Sequence, residues 1–426
     1  MKAPNELSAV EAAAAIAGGK LRATELVEAC LARIEEREPV VKAWVNLDRA
    51  QVLAQAKACD AAPAGGPLHG VPVAIKDIID TADLPTEYGS AVYPDHRPSI
   101  DAACVALVRR AGGIVMGKTV TTEFAAFQPN KTANPHNPQH TPGGSSSGSA
   151  AAVADLHVPL AFGTQTAGSI TRPAAYCGVV GFKPTFGTYA LAGIKPFAWS
   201  FDTLGTFSRT VEDALLMWRV LQAAELPATP PLPKRPRIGL CRTPFWESAA
   251  PEARQAFDRA SQALAASGCD VDEAPLPAWF ERLIEVHKLI LEYEGARNLA
   301  FEAEPARIDK LSPTLRSMVE NGFRRPAQQY LDARDAMRRA QQEFATLIGR
   351  WDLIMAPAAP GEAPRGLAAT GDPLFSRMWT LLHVPVLNLT VTNGPNGLPV
   401  GVQFIGRHDG DLVLLELCRK FAEALA

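Results

Sequence analysis

The chain has 426 residues, 47% hydrophobic and 20% charged, and 42 basic against 45 acidic side chains leave a net charge of -3. That composition fits a globular chain with ample core and excludes disorder as the main state. It lacks the basic field that phosphate-backbone binding needs, so no nucleic-acid partner is expected. Seven cysteines are scattered and never spaced as CxxC, which argues against a disulfide framework or zinc ribbon and for a reducing, cytoplasmic setting.

Near the N-terminus, Glu6 and Glu11 interrupt the single candidate signal-peptide core, and no run of 18 apolar residues follows, so no membrane span is expected. Ser8 and Glu11 have capping-box spacing before an alanine-rich helix. Helical periodicity resumes over 24–37, with Leu26, Cys30, Leu31 and Ile34 on one face. From about Gly70 short apolar strands, such as 71–75 and 113–116, alternate with glycine-rich turns and helices, which predicts an α/β sheet layered by helices. Prolines 227, 230, 231, 233 and 236 make 223–237 a surface loop. A strand over 237–241, a helix over 251–267 and a strand over 270–273 come next. Residues 278–350 are helical in pattern, notably 279–299 and 326–348, and strand texture returns at 352–356 and 398–405. Because strands flank it, 278–350 is expected to be a helical insertion in one domain spanning 1–426. That domain is divided into N-terminal helices (1–60), a core (61–222), the proline-rich loop, the insertion and a return to the core (351–426).

The stretch 141–185 carries the chemistry: TPGGSSSGSAAAVADLHVPLAFGTQTAGSITRPAAYCGVVGFKPT. Small residues crowd 143–149 and 163–169, read as two loops in which glycines let backbone N–H groups converge, as an anion site or oxyanion hole requires. A nucleotide-phosphate cradle is disfavoured because GxxxxGK[ST] is absent. The run Gly144-Ser-Ser-Ser-Gly148 fits GxSxG, but the proline-rich residues 134–142 before it cannot form the central strand that a nucleophile elbow needs. A third possibility is a serine activated by lysine, since the apolar run 71–75 ends in Lys76, where burial would disfavour the charged amine.

The blocks Gly143–Ser149, Gly163–Ser169 and Val73-Ala-Ile-Lys-Asp77 together resemble the amidase signature family. So do Gly178-Val-Val-Gly-Phe-Lys-Pro-Thr185, Asp202-Thr-Leu-Gly205 and Gly397-Leu-Pro-Val-Gly-Val-Gln403. The likeness runs over essentially the whole chain. It implies an α/β fold with a mixed central sheet sandwiched between helices, and a triad of Ser169 as nucleophile, Ser145 as bridging serine and Lys76 as base. The interval from Ser145 to Ser169 matches the spacing in that family, and this likeness selects Ser145 over Ser146 and Ser147. The backbone N–H groups of Thr166, Ala167, Gly168 and Ser169 would then form the oxyanion hole. The implied activity is hydrolysis of linear amides through an acyl-enzyme, extending to esters and to carbamates. No metal or organic cofactor is called for, the partner is a small-molecule amide, and the family allows a homodimer.

Two positions depart from the common pattern: Gln165 replaces Asp and Thr171 replaces Arg, while Arg172 follows one place later. Loss of both charges together is coherent, because a buried Asp without its Arg would be an unpaired charge. The result resembles the malonamidase-like branch, which implies Arg172 as a contact for a substrate carboxylate, with a structural tie as the other role. The glutamine-hydrolysing subunit of a tRNA-dependent amidotransferase, also in this family, usually keeps the Asp/Arg version. Elsewhere, His136 and His140 are expected to be surface loop residues, Cys177 a buried small hydrophobe, and Lys118 and Glu123 structural. Trp279, Phe280, Tyr293, Phe375, Met378 and Trp379 are apolar enough to line a substrate pocket, with a place in the core the reading favoured for each alone, and the insertion is expected to set selectivity.

Overall fold

The computed structural model describes residues 2–63, 65–223 and 230–425. Its strands are β1 (Trp44–Asn46), β2 (Pro72–Lys76), β3 (Ile114–Thr119), β4 (Leu160–Gln165), β5 (Val180–Lys183), β6 (Thr203–Ser208), β7 (Arg237–Leu240), β8 (Asp270–Glu273), β9 (Leu353–Pro357), β10 (Val386–Asn393) and β11 (Pro399–Ile405). They form one sheet in the order β1-β3-β2-β4-β6-β5-β10-β11-β9-β7-β8. β2 runs parallel to β3 and β4, β7 runs parallel to β8 and β9, and the pairs between β4 and β9 are antiparallel. The sheet is therefore mixed.

Both faces of the sheet are covered, and the strands show it residue by residue. In β2, Val73 and Ile75 enter one apolar core while Ala74 enters the other; in β4, Leu160 and Phe162 part from Ala161 in the same way. Alternation with apolar residues on both faces is what a sheet buried between helix layers requires. The second core also holds Leu26, Cys30, Leu31 and Ile34 of the helix Ala23–Val41 and the alanines of the helix Ser147–Ala154. The predicted capping box forms, with Glu11 N donating to Ser8 Oγ at 3.1 Å and Ser8 N to Glu11 Oε2 at 2.8 Å.

Predicted elements fall within a few residues of the observed ones, but the two small-residue runs are not simply loops. The helix Ser147–Ala154 begins inside 143–149, and β4 carries 163–165. Of their glycines, Gly143 needs a positive φ (83°). Gly163 and Gly148 are there because chains approach closely. A Cβ on Gly163 would stand 2.5 Å from the Phe207 ring, and one on Gly148 would stand 2.3 Å from the Ala43 carbonyl oxygen. Between β8 and β9 lie the helices Leu283–Asn298, Pro313–Arg324 and Ala327–Ile348. Of the expected proline-rich loop, 224–229 lie outside the described residues. No helix among the described residues is long and apolar enough to cross a membrane.

Candidate active site

Lys76 closes β2 and is fully buried. Its Nζ donates to Ser145 Oγ and to Thr164 Oγ1, both at 2.7 Å. Burial holds its pKa well below 10.5, opposed by the charge of the more distant Asp202. The neutral amine that burial favours has a lone pair able to accept a proton. Ser145 follows Gly144 across a cis peptide bond and is buried at the N-terminal side of the helix Ser147–Ala154.

Ser169 lies four residues beyond β4 and lines a cavity of about 220 Å³. Its Oγ makes no hydrogen bond among the described residues, and none joins it to Ser145. Such contacts are often long without substrate and tighten in the complex. The backbone N–H groups of Thr166, Ala167, Gly168 and Ser169 find no protein acceptor among the described residues, so this loop offers donors beside the serine. Their carbonyls, by contrast, are engaged. Thr166 O accepts from His287 Nε2 (2.8 Å), Ala167 O from Thr380 Oγ1 (2.8 Å) and Gly168 O from Arg172 N (3.0 Å). Fixing carbonyls from behind holds the N–H groups in place, and preorganised donors of this kind are what stabilise a developing oxyanion.

The charge-free departure is accommodated by neutral bonds. Gln165 Oε1 accepts from Ile170 N (2.8 Å), Thr171 N (3.0 Å) and Thr171 Oγ1 (3.2 Å), and its Nε2 donates to Thr380 Oγ1 at 3.0 Å. With its one hydrogen given to Gln165, Thr171 Oγ1 is the acceptor in its 2.9 Å contact with Ser376 Oγ. One amide thus ties both ends of the serine loop with no buried charge. Asp202 accepts from Thr166 Oγ1 at 2.6 Å and from the N–H groups of Phe197 and Ala198, while burial raises its pKa to about 6.

Arg172 lines the same cavity but is largely committed to the protein. It donates to Gly371 O (2.9 Å), Gly144 O (2.6 Å) and Thr370 Oγ1 (3.1 Å), leaving Nε buried without a partner. Burial draws its pKa down to about 10, so it stays protonated at neutral pH.

The surroundings separate the pocket and core readings of the six apolar candidates and correct the expectation for His140. Phe280, Phe375, Met378 and Trp379 are core residues, Tyr293 stacks on Tyr330, and Trp279 lines a separate surface hollow. None of these six reaches the Ser169 cavity, whose apolar wall is Phe127, Phe197 and Leu291 together with alanines 125, 126, 368 and 369. The insertion contributes Leu291 to that wall; the larger share comes from 368–377. His140 is buried, with its Nδ1 bonded to Ala363 O at 2.7 Å, because the chain 363–366 folds over it. Cys177 is buried, as expected. Lys118 donates to Ile79 O and Thr86 Oγ1, and Glu123 accepts from Ser90 and Ser312, all away from the cavity. Among the described residues no cluster of His, Cys, Asp and Glu could hold a metal ion. A larger cavity of about 560 Å³, against the helix Ala327–Ile348, contains none of the predicted site residues.

His287, Arg377 and Thr380 belong to the site and carry no local pattern that sequence reasoning could use, whereas Thr164 belongs to it and lies inside the family-like block 163–169. Asp202 also belongs to it, and its place in one of the family-like blocks is a signal that could have pointed to it.

Comparison with known proteins places the chain among amide-cleaving enzymes. The family model described as Amidase matches residues 25–415. A glutamyl-tRNA(Gln) amidotransferase subunit of Roseiflexus castenholzii is 36% identical over 459 residues, covering 94% of this chain and 92% of that protein. A solved amidase structure superposes with a TM-score of 0.91 at 28% identity, covering 99% of this chain and 100% of the other. The peptide amidase of Stenotrophomonas maltophilia superposes with a TM-score of 0.83, also at 28% identity, covering 99% and 97%.

Proposed function

The chain belongs to the amidase family, and we propose that it hydrolyses small linear amides with Ser169 as nucleophile, Ser145 as proton bridge and Lys76 as base. The observation that carries this reading is the environment of Lys76, a fully buried amine bonded to two hydroxyls, one of them Ser145. Neutral Lys76 accepts the Ser145 proton while Ser145 takes the Ser169 proton, and Ser169 Oγ bonds to the amide carbon. The carbonyl oxygen, now negative, is held by N–H groups of 166–169, each essential donor worth about 3–4 kcal/mol. The proton returns through Ser145 to the nitrogen, the C–N bond breaks, and the amine leaves. Water then adds to the acyl-enzyme by the same relay and releases the acid and free Ser169. Esters and carbamates fit the same sequence of steps, since the relay delivers a proton to either N or O.

A second reading, the glutamine-hydrolysing subunit of an amidotransferase, is favoured by the curated relatives, which carry an amidotransferase name at 30–36% identity over 94–99% of this chain. It would bring partner proteins. Against it stands the cavity lining, which contains two arginines and no carboxylate to take a glutamine α-ammonium group.

The experiment measures ammonia or arylamine release from malonamate, glutamine, a long-chain amide, an anilide and an aryl carbamate by wild type and by Ser169→Ala. Labelling with a fluorophosphonate is read in parallel by intact mass. Turnover and labelling that both vanish in Ser169→Ala support the mechanism. Turnover of glutamine alone, rising when partner proteins co-purify, would favour the second reading. A wild type that is not labelled overturns the nucleophile assignment.

A further inference from the structure

The two guanidiniums beside Ser169 are differently engaged. Both Nη atoms of Arg172 are committed to protein oxygens. Arg377, on the helix Leu374–Leu381, is 8% exposed and lines the cavity. Among the described residues its guanidinium makes a single hydrogen bond, from Nη1 to His287 Nδ1 at 3.1 Å. The direction of that bond follows from the other side of the ring. Thr166 O can only accept, so His287 Nε2 carries the hydrogen and Nδ1 is the acceptor. Burial and the neighbouring Arg377 charge hold His287 well below 6.5, which keeps the ring neutral. The ring also stacks on Phe201, with centroids 4.3 Å apart.

Arg377 Nε and Nη2, the edge that grips a carboxylate by two parallel bonds, therefore have no acceptor among the described residues. The nearby carboxylates of Asp372 and Glu285 act on Arg377 at a distance, without an ion pair. A desolvated cation without a counter-ion is unfavourable, and an anionic ligand relieves it. We infer that Arg377, oriented by His287, is the anion-binding residue of this cavity, and that the substrate is a small amide carrying a carboxylate. This rests on the cavity being the amidase site proposed above. A small cavity of about 220 Å³ suits a short dicarboxylic monoamide. His287 is a positioning residue, joining this anion subsite to the Thr166 carbonyl behind the serine loop.

The test follows the rate at which a fluorophosphonate labels Ser169, with malonate, succinate or neutral malonamide as protectant. Each variant is normalised to its own unprotected rate. The dicarboxylates should slow labelling of wild type, and Arg377→Gln should weaken that protection about 30-fold, with Arg377→Lys in between because it keeps charge and loses the fork. His287→Gln should weaken dicarboxylate protection while leaving malonamide protection within about threefold. The proposal is overturned if neither dicarboxylate protects wild type, if they protect Arg377→Gln equally well, or if protection depends on Arg172 alone. Should wild type not be labelled at all, the nucleophile assignment fails instead. Malonate binding to wild type and Arg377→Lys by titration calorimetry then judges the anion site, with equal affinity overturning it.

Discussion

The serine–lysine cluster and the cavity wall meet at Ser169, yet they are built in contrasting ways. In the cluster, Lys76, Ser145, Thr164 and Gln165 are buried and bonded to one another's surroundings without a formal ion pair, and small residues bring the chains close. The wall is assembled from segments far apart in sequence, 125–127, Phe197, Leu291 and 368–377, and holds two cations with no carboxylate in the lining. Burial therefore serves two ends. In the cluster it disfavours the charged form of an amine, and in the wall it leaves a charge that a ligand can neutralise. Chemistry and recognition are thereby separable, and substitutions should sort into those that abolish turnover and those that change what is turned over.

The largest effect is expected at Ser169. Ser169→Ala should lower kcat/KM by about 10⁴-fold or more and remove fluorophosphonate labelling. Residual turnover near the wild-type rate would break the comparison at its centre. Lys76→Met should cost about 10²–10⁴-fold, and the pH profile sharpens the point. The neutral amine is the active form and its pKa is lowered, so activity should fall as pH falls through that value and reach its plateau well below pH 10.5. A limb that appears near 10.5 instead would refute the buried-base assignment. Linkage has the same sign, because the unfolded chain binds this proton more tightly, so the Lys76 contribution to stability rises with pH up to about 10.4.

Gly163→Ala tests close packing rather than chemistry. Its new Cβ would meet the Phe207 ring at 2.5 Å and Ser146 Oγ at 2.9 Å. A loss of about 1–3 kcal/mol is expected, read by denaturant unfolding. No loss would show that the strand can shift, weakening the packing account of the glycine. The smallest effect belongs to Leu291→Ala in the wall. It should lower KM for a bulkier amide by about 10-fold or less while kcat moves within about threefold. An equal fall in kcat for every substrate would move Leu291 from recognition to scaffold.

What is legible in the sequence follows the same division. Local patterns announce the cluster. A strand ends in Lys76, the glycines and serines are packed into two seven-residue runs at 143–149 and 163–169, and the spacing of the runs matches a known family. Even so, the glycines read as turn residues, because sequence shows that a side chain is missing and not what occupies the space. Gly163 and Gly148 are explained by Phe207 and Ala43, which are remote in sequence. For the aromatic candidates the sequence leaves pocket and core both open, for the converse reason. Phe375, Met378 and Trp379 are apolar enough for a pocket, but their helix turns them into the core and Arg377 to the cavity.

With the mixed sheet supplied by its family likeness, the sequence by itself determined an α/β architecture layered by helices, the positions of most of the strands and the helical insertion, and which amine and serine runs stand as candidates for the chemistry. Those depend on periodicity, on burial of apolar runs and on short-range spacing. Tertiary structure decided which groups surround them. His287, Arg377 and Thr380 come from the far half of the chain to hold three oxygen or nitrogen atoms around the Ser169 loop. A hydrogen bond depends on ångström distances between side chains, and residues separated by about 100 to 200 positions leave no periodic trace of such a meeting in one sequence.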